Sequence, residues 1–186
     1  LQESKGFDVS RIEQKGLNDL VSYVDKEAEK QIVERLSVLL PHSGFIAEEG
    51  TGSENPTGYN WIIDPLDGTT NFIHGFPQYA ISIALSVNGV LQQAVIYDPN
   101  RDELFSASKG AGAYVDRRRL RVASQIKLEN ALIGTGFPYR QDQDVDQYLK
   151  IFAEMTRQCA GLRRPGAASL DLAYVAAGRY DGFFES

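Results

Sequence analysis

Four carboxylates stand at the ends of two short apolar runs. Glu48 and Glu49 follow Phe45-Ile46-Ala47, and Asp64 and Asp67 fall in Trp61-Ile62-Ile63-Asp64-Pro65-Leu66-Asp67-Gly68-Thr69-Thr70. Apolar runs of this length read as strands, and strand ends are where ligands meet open α/β sheets. A spacing of three through a tight turn aims Asp64 and Asp67 at one point, with the Leu66 carbonyl exposed between them. Three oxygen donors then come from four residues, the kind of donor that hard cations such as Mg²⁺ take. Neighbours on an extended chain point to opposite faces, so one of Glu48 and Glu49 is expected to reach the same ion as Asp64, and the other to serve a second ion or an outer shell. Each acidic pair alone also reads as an exposed turn. Their recurrence at two strand ends, in a chain with only two histidines and one cysteine, favours an all-oxygen magnesium site. Gathered carboxylates raise one another's pKa values unless cations neutralise them.

The elements that must hold these groups are legible in outline. Val24, Ala28, Ile32, Leu36 and Leu40 recur every four residues, opposite Lys26, Glu27, Glu29, Lys30 and Glu34, and predict an amphipathic helix closed by Pro41. Ser22 and Asp25 fit a capping box at its start. That box accounts for Asp25 on its own; a catalytic part requires its carboxylate to reach the Thr69 hydroxyl. Lys15 and Asp19 fall in the same neighbourhood of the chain. Strands are expected at 44–47, 61–64, 80–87, 91–97, 103–107 and 131–134, with a hairpin turning at Asn88-Gly89. Helices are expected over Val145–Gln158 and from Ala168 to Ala177, the latter capped by Gly178, before a last strand from Asp181 to Glu185. Strands that meander more than they alternate with helices make the class α+β.

The 186 residues carry 42% hydrophobic and 24% charged side chains, which suits a buried core rather than a disordered or fibrous chain. A net charge of −6 makes a nucleic-acid partner an unfavoured expectation. The lone Cys159 forms no internal disulfide, so a reducing compartment, the cytoplasm by default, is expected. The apolar runs are too short to span a bilayer. No G-x-x-x-x-G-K-[ST], G-x-G-x-x-G, H-E-x-x-H or G-x-S-x-G occurs, which removes the common nucleotide-binding, zinc-protease and serine-hydrolase readings. Asp64-x-x-Asp67 also departs from the D-x-D of phosphatases that form an aspartyl-phosphate.

The stretch from Trp61 to Phe72, preceded by Ile46-Ala-Glu-Glu-Gly50, resembles the inositol monophosphatase family of magnesium-dependent, lithium-sensitive phosphatases. The likeness extends from Lys15 to the stretch Arg163 to Glu185. It implies a layered α-β-α-β-α sandwich in a single domain over residues 1–186. It also implies that Glu48, Asp64 and the Leu66 carbonyl hold one Mg²⁺, that Asp64 and Asp67 hold a second, and that Glu48 helps with a weaker third; Mn²⁺ is a possible substitute. Thr69, oriented by Asp25, would position or deprotonate the attacking water. Glu49, Lys15 and Asp19 would support the ligands. The amides of Gly68 and Thr69 would take the phosphate, and Arg163, Gly166, Ala168 and Glu185 would contact the polyol.

The implied reaction is hydrolysis of a small phosphate monoester, myo-inositol monophosphate first, by a homodimeric enzyme. Fructose 1,6-bisphosphate, histidinol phosphate, NADP or a 3′-phosphonucleotide are alternative substrates, and a non-catalytic dimeric regulatory module is the alternative of another class. The family pattern starts with a longer N-terminal helix. It continues past Glu185 to a Trp-Asp pair that completes the second metal site, so the sequence is expected to be incomplete at both ends and to bind that second ion poorly.

Overall fold

The structure is a computed structural model that describes residues 12–16, 19–56, 58–124, 127–138 and 143–185, with side chains from Tyr23 onward. A hairpin of β1 (Ile12–Gly16) and β2 (Asp19–Ser22) leads into helix α1 (Tyr23–Leu39). Next come β3 (Gly44–Ala47), β4 (Tyr59–Asp67) and the short helix α2 (Thr69–Ile73). The meander β5 (Ala80–Val87), β6 (Val90–Asp98), β7 (Glu103–Ser108), β8 (Gly112–Val115) and β9 (Arg118–Arg119) follows. The chain then runs through β10 (Leu132–Thr135), α3 (Val145–Gln158), β11 (Gly161–Arg163), α4 (Ala168–Ala176) and β12 (Gly182–Phe184).

The strands β3 to β9 form one seven-stranded sheet in chain order, antiparallel except for the parallel β3–β4 pair. A second sheet is three-stranded and parallel, in the order β11-β10-β12. This is a mixed fold of sheets and helices, in keeping with the α+β class expected from the sequence. The β5–β6 turn has the left-handed conformations that an Asn-Gly hairpin requires, with φ of 51° at Asn88 and 76° at Gly89. Among the described residues no helix is long and apolar enough to cross a membrane.

Helix α4 supplies the main packing. Leu170, Ala173 and Tyr174 from it meet Ala80, Phe105 and Val115 of the large sheet and Tyr180 beyond the helix, all buried. A second cluster of Leu66, Phe72 and Tyr79, with Val24 against it, ties the motif segment to α1. There the Phe72 and Tyr79 rings meet edge to face at 5.2 Å.

Two expectations need correction. The segment after Ile63 is not a tight turn: β4 stays paired with β5 as far as Asp67, opposite Ala80, and the register slips between Asp64 and Asp67. Pro65 lacks the N–H that a ladder needs, so the chain bulges there, and the bulge carries the two acids. On α1, Glu29 does not face solvent with Glu27 and Lys30. It is fully buried, as is Asp25 one turn earlier, while Val38 and Leu39 are exposed.

Candidate metal and phosphate site

The bulge aims its groups into a cleft of about 760 Å³ lined by Glu48, Asp64, Leu66, Asp67, Gly68 and Thr69 from the first half of the chain, and by Arg164, Gly166, Ala168, Asp171 and Glu185 from the second. Asp64 Oδ1 accepts the Leu66 N–H at 3.0 Å, which fixes its carboxylate within the bulge. The Glu48 N–H donates to the carbonyl of Ile63, the residue just before Asp64, at 3.2 Å. Both acids therefore hang from one hydrogen-bonded pair of strands. Burial, then the charges of the neighbouring Glu48 and Asp67, push the Asp64 carboxyl up to about 8.

Asp67 lines the same cleft and also holds the start of the last helix. Its carboxylate accepts the Ala168 N–H at 3.2 Å and the Ser169 N–H at 2.7 Å, and the Ser169 hydroxyl as well, at the start of α4. Burial raises its carboxyl, and these donors work against that rise. Among the described residues no three Asp, Glu, His or Cys side chains are arranged to hold an ion together. Glu48 and Asp64 are the acids that the paired strands bring together in the cleft, with Asp67 and Leu66 beside them in its wall.

The Thr69 hydroxyl lies 2.9 Å from Asp25 Oδ1 and 3.0 Å from the Leu66 carbonyl. The contact between α1 and the motif that sequence leaves open, Asp25 to Thr69, is therefore made. Gly68 precedes Thr69 with φ of 92°. A Cβ there would lie 2.9 Å from the Gln78 carbonyl oxygen and 3.2 Å from that of Gly166, so no other residue fits the turn without strain. Gly68→Ala is expected to destabilise the fold by ~1–3 kcal/mol, read as a lowered Tm.

Asn71 is a structural residue that sequence reasoning passes over. Its amide donates to the carbonyls of Gln78 at 2.7 Å and Pro165 at 2.8 Å, which staples the Arg164–Gly166 loop to α2. Arg164, not Arg163, lines the cleft, and its guanidinium lies 4.8 Å from the centroid of the Phe137 ring. Arg163 is exposed and donates back to the Leu162 carbonyl at 2.9 Å. Adjacent residues leaving a strand point to opposite sides, which separates the two arginines.

Glu185 packs against Gly136, where any Cβ would strike its carboxylate. Asp171 is a further acid in the cleft wall: it is buried, its Oδ1 has no partner, and burial followed by the charges of Asp67 and Glu185 raises its carboxyl to about 7. An acid inside the apolar run Leu170 to Ala173 is the signal that could have found it. Glu49 offers its N–H to Glu29, and the side chains of Lys15 and Asp19 lie outside the described residues.

A family model described as the inositol monophosphatase family matches residues 1–186. The chain belongs to that family. It is accordingly a phosphoric monoester hydrolase by class. The Nus factor SuhB of Pseudomonas aeruginosa is 52% identical over 184 residues, covering 96% of this chain and 68% of the relative. The inositol-1-monophosphatase of Rhizobium meliloti is 48% identical over 172 residues, covering 92% and 65%. Among solved structures, the extragenic suppressor protein suhB from Bartonella henselae superposes with a TM-score of 0.93 at 42% identity, over 100% of this chain and 71% of that one. An IMPase/NADP phosphatase complexed with Mg²⁺ and phosphate gives a TM-score of 0.81 at 27% identity, over 94% and 65%.

Proposed function

We propose that the chain hydrolyses a small phosphate monoester, myo-inositol monophosphate foremost, with Mg²⁺ bound at the β4 bulge. The supporting observation is the meeting of Glu48 and Asp64 in the cleft that Thr69, bonded to Asp25 behind it, also lines. The donors suit a hard cation: two carboxylates and a backbone carbonyl, with one carboxyl held up to about 8 by burial and its acidic neighbours. Glu48, Asp64 and the Leu66 carbonyl would hold one ion. Asp64 and Asp67 would hold a second, for which Asp67 shares its oxygens with Ser169. Bound Mg²⁺ supplies charge neutralisation at the phosphoryl oxygens and acidifies water.

The remaining work falls to the chain itself. The Thr69 hydroxyl donates to Asp25 and keeps a lone pair to orient a water in line with the phosphorus–oxygen ester bond. The amides of Gly68 and Thr69 face the phosphate, while Arg164, Gly166 and Glu185 face the alcohol, Glu185 accepting from its hydroxyls. Hydrolysis in ¹⁸O-water tests the scheme: one displacement with inversion at phosphorus is expected, and a trapped aspartyl-phosphate would overturn it. A panel with fructose 1,6-bisphosphate, histidinol phosphate, NADP and a 3′-phosphonucleotide ranks the substrates.

The raised Asp64 carboxyl has a measurable pH consequence. Ionising it costs the fold, so the stability present below the usual carboxylate range is lost as pH rises towards 8. Mg²⁺ binds the ionised form, so its apparent affinity should climb about tenfold per pH unit up to about 8 and then level off. Thermal unfolding with and without saturating Mg²⁺ should accordingly show a larger gain in Tm near about pH 8.5 than near about pH 6.

One observation favours a second reading, in which a non-catalytic role accompanies the chemistry: the Pseudomonas relative is named as a factor and the Rhizobium relative as an enzyme. A metal-dead variant that keeps a binding partner would support it.

A further inference from the structure

We propose that Glu29 positions Glu48 for metal binding, clamping the turn that carries it; the inference rests on the metal-dependent reading above. Glu29 is fully buried on α1, and its carboxylate makes two bonds to one short segment. Oε2 accepts the N–H of Glu49 at 2.7 Å, and Oε1 accepts the N–H of Thr51 at 2.8 Å. On its other side the same segment is pinned to β4 by the Glu48 N–H, bonded to the Ile63 carbonyl, and its turn is closed by the Gly50 N–H bonded to the Ala47 carbonyl. Glu48 therefore sits between two anchors: one belongs to the strand that carries Asp64, the other is a buried carboxylate.

Burying a charge is costly unless its bonds are strong, and both oxygens of Glu29 are spent on backbone amides next to the ligand. A glutamine would not do the same work. One end of its amide is a donor, so it would oppose one of the two N–H groups and release half of the clamp. Asp25 stands four residues before Glu29 on the same helical face and accepts from Thr69. One face of α1 thus sets both the hydroxyl that orients water and the carboxylate that holds the ion.

The test uses the whole chain, Glu29→Gln and Glu29→Asp, with Mn²⁺ alone as the titrant in calorimetry and amide exchange followed at Glu49 and Thr51. Glu29→Gln should raise the Mn²⁺ Kd about tenfold. It should speed exchange at both amides and raise the Mg²⁺ concentration for half-maximal hydrolysis by much more than it changes substrate KM. Glu29→Asp, whose charge is kept but whose reach is shorter, should lie between the two and serves if the glutamine variant fails to fold. A lowered Tm with unchanged Mn²⁺ affinity, or unchanged exchange at Glu49 and Thr51, would overturn the inference. An unaltered chain that binds no Mn²⁺ would overturn the functional reading and this one together, whereas variants that bind as well as an active parent overturn this one alone.

Discussion

Asp64→Asn should abolish Mg²⁺-dependent hydrolysis, with a loss of roughly 10³-fold or more, because it removes the one side chain that both proposed ion positions share. The substitution changes charge and little else. Asparagine keeps an oxygen for the Leu66 N–H, so the bulge should persist, and it removes a carboxyl that burial and the charges of Glu48 and Asp67 already disfavour when ionised. The same variant is therefore expected to be at least as stable as the parent at neutral pH without metal, and no longer stabilised by Mg²⁺. Steady-state rates across a Mg²⁺ titration, beside thermal unfolding with and without the ion, check both halves. Inactivity together with collapse of the fold would leave the chemical role of Asp64 unsupported.

Asp25→Ala should lower kcat by roughly 10²-fold while the Mg²⁺ concentration for half-maximal rate moves little, since general acid–base and orienting groups act on the rate of the chemical step. Asp25 has no place in the proposed ion positions; it acts through the Thr69 hydroxyl 2.9 Å away. Thr69→Val should match that loss, and the double variant should lose little more than either single one, the mark of two residues working as a unit. Additive losses would separate them. A rise in the Mg²⁺ requirement equal to the fall in kcat would make Asp25 part of the ion's environment instead.

Much of the architecture is legible because local chemistry decides it. Asn88-Gly89 dictates the β5–β6 hairpin, and the spacing of Val145, Tyr148, Leu149, Phe152 and Met155 predicts α3 over the bounds observed. The acids of the motif are equally plain, since charge at the end of an apolar run has few bland explanations. What escapes is set by partners distant in sequence. Glu29 reads as a solvent residue because it is charged, yet its spacing of four from Asp25, in line with Ile32 and Leu36, marks the buried stripe once the two acids are taken together. The motif gives no sign that Asp67 also anchors the start of α4 through Ser169, 102 positions away. Arg163 and Arg164 cannot be told apart until the end of β11 sends them to opposite sides.

The most direct measurement is anomalous diffraction from crystals of the chain grown with Mn²⁺. An anomalous peak between the Glu48 and Asp64 carboxylates, beside the Leu66 carbonyl, is the expected result. Crystals saturated with Mn²⁺ that show no peak there, or a peak only at acids outside the cleft, would contradict the assignment of the β4 bulge as the metal centre.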